Sequence, residues 1–306
     1  MEREFLRRLR KRIGPAPQLR VPIGDDAAVF EWPSNKLPVL AVDVIADGVD
    51  FLLDQCDPRL VGRKALAVNL SDLAAMGALP TACVIGLSVP KSGIGDKLDA
   101  IYDGLFALAE EFDTAVAGGD LGTHDGPLSL AVTVLGEVEP DRILRRNGAR
   151  PGDKLLVTGS LGGSILGRHF TFRPRIREAR QLTERFRVTA AIDLSDGLAV
   201  DAAHLAEESG CGLVISNDRI PVSADAERLA RQDGRSAVEH ALGDGEDFEL
   251  LFTMPPAEAD RLIAEPPFDV PVTVIGECVP EQGVWLAYED RRVPMPDHLG
   301  YEHHFD

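Results

Sequence analysis

Acidic residues in this chain stand where acids are normally excluded, and that placement is the first sign of chemistry. Asp43 interrupts the apolar run VLAVDVIA at 39–46. Asp72 lies in ALAVNLSDLAAMGA at 65–78, and in a helix it shares one face with Ala65 and Val68. Asp25 and Asp26 follow the turn VPIG, Asp120 ends the strand–turn TAVAGGD, and Asp193 and Asp196 flank the end of the short apolar run AAI. A carboxylate among apolar neighbours is costly unless it is protonated, paired with a base or bound to a metal. Each acid also has a plain structural reading. Asp25, Asp26 and Asp120 suit turns, and Asp193, Ser195 or Asp196 could cap the following helix. The recurrence of acids at the ends and interiors of apolar segments favours metal. A donor set of oxygen alone selects Mg²⁺ or Mn²⁺ over zinc, and magnesium commonly binds together with substrate phosphates.

The overall charge fits that reading. With a formal charge of −18 the chain repels DNA, RNA and free nucleotides. Bridging cations would let such a surface accept a polyphosphate. The chain contains no P-loop, no Rossmann glycine fingerprint after a strand and no protein-kinase H-R-D set. The seven histidines form no H-E-x-x-H, and no Gly-x-Ser-x-Gly elbow is present, which argues against zinc and nucleophilic-serine catalysis. TGSLGGS at 158–164 has the glycine content of a phosphate cradle, although a plain turn explains it better. The four cysteines lie far apart, outside any zinc spacing, as expected of small buried side chains in a reducing cytoplasm. No run approaches the ~18 apolar residues of a membrane span. The basic start MEREFLRRLRKRIG reads as a short amphipathic helix with a solvated face, not as a membrane or nucleic-acid contact.

These acids require a scaffold of alternating strands and helices. Strand-like segments fall at 39–44, 81–89, 114–117, 128–138, 154–158, 190–192, 213–216, 248–252 and 272–275. Helical spacing covers 59–76, closing at Gly77, then 97–112 and 196–209. The mixture predicts an α/β or α+β architecture. NGARPGD at 147–153 predicts the seam between two domains, and the stretch 170–176 around Pro174 predicts a mobile loop.

Taken in order, GDDAAV (24–29), KALAVNLSDLAAMGA (64–78), AGGD (117–120), LRRNGARPGDKLLVTG (144–159), IDLSDGLAVD (192–201) and GEDFELLF (245–252) resemble the thiamine-monophosphate kinase family. That family lies in the superfamily of aminoimidazole ribonucleotide synthetase. The resemblance implies a two-domain fold. Residues 1–146 would form a mixed-sheet domain that binds ATP and magnesium and pairs with a second subunit into a barrel. Residues 147–306 would form a C-terminal α/β domain. Motif by motif, metal would be held by Asp26, Asp43, Asp72, Asp120, Asp193 and Asp196. ATP would meet Tyr102, Gly119, Asp120, Arg146 and Ser195, and the substrate would meet Asp50, Glu246 and Tyr301. Departures from the family pattern gather on the substrate side. The usual GVHF is GVDF at 48–51, STDT is AVDV at 41–44, GGDTTRGP is the longer GGDLGTHDGP at 118–127, and GGED is DGED at 244–247.

The implied activity is Mg²⁺-assisted transfer of the γ-phosphoryl group of ATP to thiamine monophosphate, in a cytoplasmic homodimer without nucleic-acid or membrane partners. The acceptor phosphate, with a second pKa of roughly 6, is largely ionised at neutral pH and needs no general base. Two other readings stay open. One is a sister enzyme acting on another small phosphate ester, and the other is a degenerate sensor that binds ATP or thiamine phosphates without turnover.

Overall fold

The computed structural model describes residues 2–14, 16–22, 26–95, 97–296 and 298–301. Asp25 and the end of the C-terminal GYEHHF stretch therefore lie outside the described residues. The chain divides into two units, one comprising Met1–Leu73 with Leu79–Pro140, the other Ala74–Ala78 with Asp141–Asp306.

In the first unit the order is α1 (Glu2–Arg12), β1 (Leu19–Val21), β2 (Val29–Phe30), β3 (Leu37–Ala46), α2 (Pro58–Ala75), β4 (Leu79–Pro90), α3 (Lys97–Glu111), β5 (Ala115–His124) and β6 (Ser129–Val138). Strands β1 and β2 pair as a short ribbon, and the others form a four-stranded sheet ordered β3-β6-β4-β5. β4 and β5 run parallel through the α3 crossover, while β6 pairs antiparallel with both β3 and β4. Burial alternates along β6, as expected of a sheet with one covered face. α2 is buried nearly all round, including Lys64 and Asn69, so it behaves as a core helix.

The arginines of α1 are not merely solvated. Arg8 and Arg12 reach Asp99 and Asp103 of α3 at 2.7 and 2.5 Å, and Phe5 and Leu9 are buried. The basic cluster thus docks the first helix onto an acidic neighbour.

The second unit continues with β7 (Lys154–Thr158), α4 (Arg168–Thr171), α5 (Ile176–Arg185), β8 (Ala190–Asp193), α6 (Leu198–Ser209), β9 (Gly212–Ser216), α7 (Ala224–Asp233) and α8 (Ala237–Gly243). It ends with β10 (Leu250–Met254), α9 (Pro256–Ala264), β11 (Val272–Val279), β12 (Gly283–Ala287) and β13 (Arg292–Pro294). Its seven-stranded sheet is ordered β13-β12-β9-β11-β7-β10-β8 and is antiparallel except between β12 and β9. Leu155, Val157, Ile192, Leu198, Leu205, Leu213 and Leu251 build its core.

Two expectations need correction. β5 does not end at Asp120 but runs on to His124, because pairing with β4 continues from Gly119 through His124. The stretch 170–176 is not a loose loop: α4 and α5 flank it, and Phe172, Pro174 and Ile176 are buried.

α2 and α3 touch backbone to backbone. A Cβ on Gly62 would lie 1.7 Å from the carbonyl oxygen of Ile101, and one on Gly104 would lie 1.8 Å from that of Arg59. Ordinarily Gly→Ala in a helix gains up to about 1 kcal/mol. Here overpacking reverses the sign, and Gly62→Ala should lose about 2 kcal/mol or more. Urea denaturation checks this, and an unchanged or raised midpoint would show that the helices do not touch there.

Candidate functional site

In the first unit the predicted residues occupy the sheet and the helix that covers it. Asp43 pairs with Val132, Val132 with Ile85, and Ile85 with Gly119, so Asp43 and Gly119 end one row across all four strands. Val132 and Ile85 are buried, so this row faces the core. The Asp43 N–H donates to Asn69 Oδ1 at 3.0 Å, which seats α2 over the acid. Asp72 lies one turn beyond Asn69 on the same helix face, so α2 brings Asp72 toward Asp43. Asp120 is set apart. Its row runs through Gly86 and Ala131 to Val44, and alternation turns its side chain to the exposed sheet face. Three strand spacings, roughly 14 Å along the sheet, separate β5 from β3.

Asp50 and Tyr102 have structural partners of their own. Asp50 Oδ2 accepts the Ala46 N–H at 2.7 Å, and its carbonyl accepts from buried Lys64 Nζ at 2.8 Å. The Tyr102 ring packs between Phe5 and Phe106 with centroids 5.8 Å from each, and burial pushes its phenol pKa up. Asp26 lies in an exposed bend before β2.

In the second unit the predicted residues converge. Asp193 ends β8 and is buried. The carbonyl of Ser195 accepts the Glu246 N–H at 2.7 Å, and that of Asp196 accepts the Tyr301 N–H at 3.0 Å. Phe248 N–H donates to Leu194 O, and Leu194 N–H returns a bond to Glu249 O. Ser195, Asp196, Glu246 and Tyr301, from three distant stretches of sequence, therefore meet at one place. Arg146 is exposed, and its carbonyl accepts the Ser209 hydroxyl at 2.9 Å.

The capping reading of Asp193, Ser195 and Asp196 does not hold. α6 is capped by Gly197 without a side chain, and Asp201 accepts the N–H groups of Asp196 and Gly197, each at 3.1 Å. Burial first, then the charges of Asp193 and Asp196, push the Asp201 carboxyl up to about 8. Negative charge is thus crowded at this loop. Asp26, Asp43, Asp72, Asp193 and Asp196 each have a polar or electrostatic partner. Among the described residues no three His, Cys, Asp or Glu side chains gather closely enough to hold a metal by themselves. A cavity of about 790 Å³ beside α6 is lined by Val200, His204, Trp285 and Leu299, and by none of the predicted residues.

The glycine-rich loop after β7 is bound from within. Gly162 N–H meets both carboxylate oxygens of Asp247 at 2.9 and 3.0 Å, Gly163 N–H meets Asp244, and the Ser164 hydroxyl meets Asp247 at 2.8 Å. These amides serve the protein's own acids, which supports a structural turn. Sequence reading missed Asp247 and Glu249 together with Arg168, His169 and Arg175, whose partners lie some eighty residues away. The one available signal was the acid density of DGEDFE.

Burial raises the Asp247 carboxyl from its ordinary 3.8 to about 7, against the pull of Arg168 and the hydrogen bonds from Ser164 and Gly162. A carboxyl that holds its proton more tightly in the folded chain contributes stability at acid pH. That contribution is lost as pH climbs from about 4 through about 7. Asp247→Asn removes the titration and keeps an acceptor for Gly162. Its melting temperature should trail that of the unmodified chain by more at pH 5 than at pH 8, and equal deficits would show that Asp247 does not titrate in this window.

Known proteins share this arrangement of sequence and fold. The N-terminal domain model of AIR synthase related proteins matches residues 24–138, and the C-terminal domain model matches residues 150–288. The thiamine-monophosphate kinase of Rhodopirellula baltica is 43% identical over 292 residues, spanning 93% of this chain and 92% of its own. The crystal structure of thiamine-monophosphate kinase from Stenotrophomonas maltophilia superposes with a TM-score of 0.80 at 34% identity, covering 92% of this chain and 95% of that one. AaThiL complexed with AMPPCP and TMP superposes with a TM-score of 0.78 at 29% identity, over 98% and 95% of the two chains. The chain belongs to the AIR synthase related proteins and, within them, to the thiamine-monophosphate kinase family.

Proposed function

We propose that this chain transfers the γ-phosphoryl group of ATP to thiamine monophosphate, forming thiamine diphosphate. The observation that carries this reading is the meeting of Ser195, Asp196, Glu246 and Tyr301 at one point of a chain 43% identical to a thiamine-monophosphate kinase over most of its length. Arg146 and Ser195 are the ATP contacts we assign within the second unit, and Gly119 and Asp120 those we assign within the first. Glu246 sets a carboxylate against the positively charged thiazolium of the acceptor, and the exposed ring of Tyr301 offers it a stacking face. Asp50 contributes its remaining carboxylate oxygen. Tyr102, whose ring packs between Phe5 and Phe106, is the further ATP contact that the motif match implies.

Magnesium fits the donor set, which is oxygen throughout, and the crowded charge around Asp201 is of the kind a cation relieves. We assign metal contacts to Asp26, Asp43, Asp72 and Asp120 within the first unit and, separately, to Asp193 and Asp196 within the second. A hard cation that keeps waters and phosphate oxygens in its shell needs only one or two carboxylates at a time. Bound there, it supplies charge neutralisation for donor and acceptor phosphates. The chain's own contribution is to hold the two phosphates in line and exclude competing water. Proton abstraction is not required, and among the described residues His169 is engaged with Glu246 and His240 with Asp244.

We assign ATP binding, metal binding and dimerisation to residues 1–146, and the C-terminal α/β domain to 147–306. The homodimer forms through the outer face of the four-stranded sheet. Leu40, Val42 and Val44 on that face are 70%, 59% and 60% exposed, an apolar stripe that a monomer would leave in water. Buried free cysteines are consistent with a reducing, cytoplasmic setting. Among the described residues no helix is long and apolar enough to cross a membrane.

A coupled ADP-release assay with thiamine monophosphate, with and without Mg²⁺, tests the activity. Turnover confined to other phosphoesters would favour the sister-enzyme reading, and binding of both ligands with no ADP would favour a sensor. Asp72→Asn should lose nearly all turnover with an unchanged melting temperature, and full rates at saturating Mg²⁺ would remove Asp72 from the metal site. Val42→Glu combined with Val44→Glu should halve the mass seen by light scattering, whereas an unchanged mass would place the dimer contact elsewhere.

A further inference from the structure

The segment from Arg168 to Arg175 grips the turn 246–249 one residue at a time. His169 Nδ1 stands 3.3 Å from Glu246 Oε2. Arg168 Nη2 donates to the Asp247 carbonyl at 3.1 Å and to Glu249 Oε1 at 2.6 Å. Phe172 stacks on Phe248 with ring centroids 4.1 Å apart at 17°. Arg175 closes a two-pronged contact on Glu249, Nε to Oε2 at 2.7 Å and Nη2 to Oε1 at 2.6 Å.

This turn needs such a hold. Glu246 and Phe248 have φ of 54° and 49°, left-handed values that strain a non-glycine residue. Arg168, Phe172 and Arg175 restrain the backbone and the far end of the turn. His169 is placed against the side chain of Glu246. It is itself buried, at 4% exposure, and packed against Phe170 with centroids 4.0 Å apart, so its ring is a fixed post. The Glu246 carboxylate is partly open to solvent and meets that post through Oε2.

We propose that His169 is a positioning residue that aims the Glu246 carboxylate at the cationic ring of the acceptor substrate, and so sets acceptor affinity and not nucleotide affinity. The proposal rests on the reading of Glu246 as a substrate contact.

Steady-state kinetics on the full chain test it. His169→Ala should raise KM for thiamine monophosphate about tenfold, with kcat and KM for ATP changed less than twofold. His169→Asn, whose amide nitrogen falls near the position of Nδ1, should restore much of the lost affinity, and it carries the test if the alanine variant fails to fold. Glu246→Gln should raise the same KM, and adding His169→Ala to it should do little more, since both act through one contact. If Glu246→Gln leaves acceptor KM unchanged, the substrate reading of Glu246 fails and this proposal with it. If Glu246→Gln raises it while His169→Ala does not, or if His169→Ala weakens ATP equally, the positioning role alone is overturned.

Discussion

Glu249 is a carboxylate with almost no exposure, held by two guanidiniums and a threonine hydroxyl, and the geometry of the second unit depends on it. A buried charge that loses one partner costs roughly 3–5 kcal/mol, so Arg168, Arg175 and Glu249 form an all-or-none set. Their backbone consequences are specific. Glu249 O receives Leu194 N–H, Phe248 N–H bonds Leu194 O, and Glu246 N–H bonds Ser195 O. The ion-pair set therefore locates the loop that carries Asp193, Ser195 and Asp196 as well as its own turn. Thr158 extends the link to β7, its hydroxyl meeting Glu249 at 2.6 Å and the Leu250 N–H at 2.9 Å.

Several carboxylates of the chain are held by internal donors. Asp247, Asp244, Asp201 and Asp50 all accept backbone N–H groups. Asp193 and Asp196 are the charges that help push the Asp201 proton up.

Much of the scaffold was legible in the sequence because it obeys local periodicity. The strands at 154–158 and 190–192, the helix around Leu66, Leu70 and Leu73, and the cap at Gly77 follow from spacing alone. What escaped was non-local. Nothing in the pattern around Gly62 or Gly104 announces that another backbone lies against it. Pro174 between arginines looks like a loop until Glu249 and Phe248, more than seventy residues on, supply its partners. Asp201 carries no sequence signal of its own within IDLSDGLAVD, because its role depends on how the chain turns at Gly197. The capping box Ser236–Glu239 before α8 was a local signal and could have been read. The acids proposed for the site stand out in the sequence where they break an apolar run, whereas the contact of His169 with Glu246 leaves no local mark.

The loop after β7 carries one more implication. Its successive amides point inward at Asp244 and Asp247, so the concavity that a glycine-rich turn offers to anions is already filled by the chain itself. Self-occupation of this kind makes the loop blind to free phosphate. A chain that lost both carboxylates would free these amides and gain a latent oxyanion receptor beside β7.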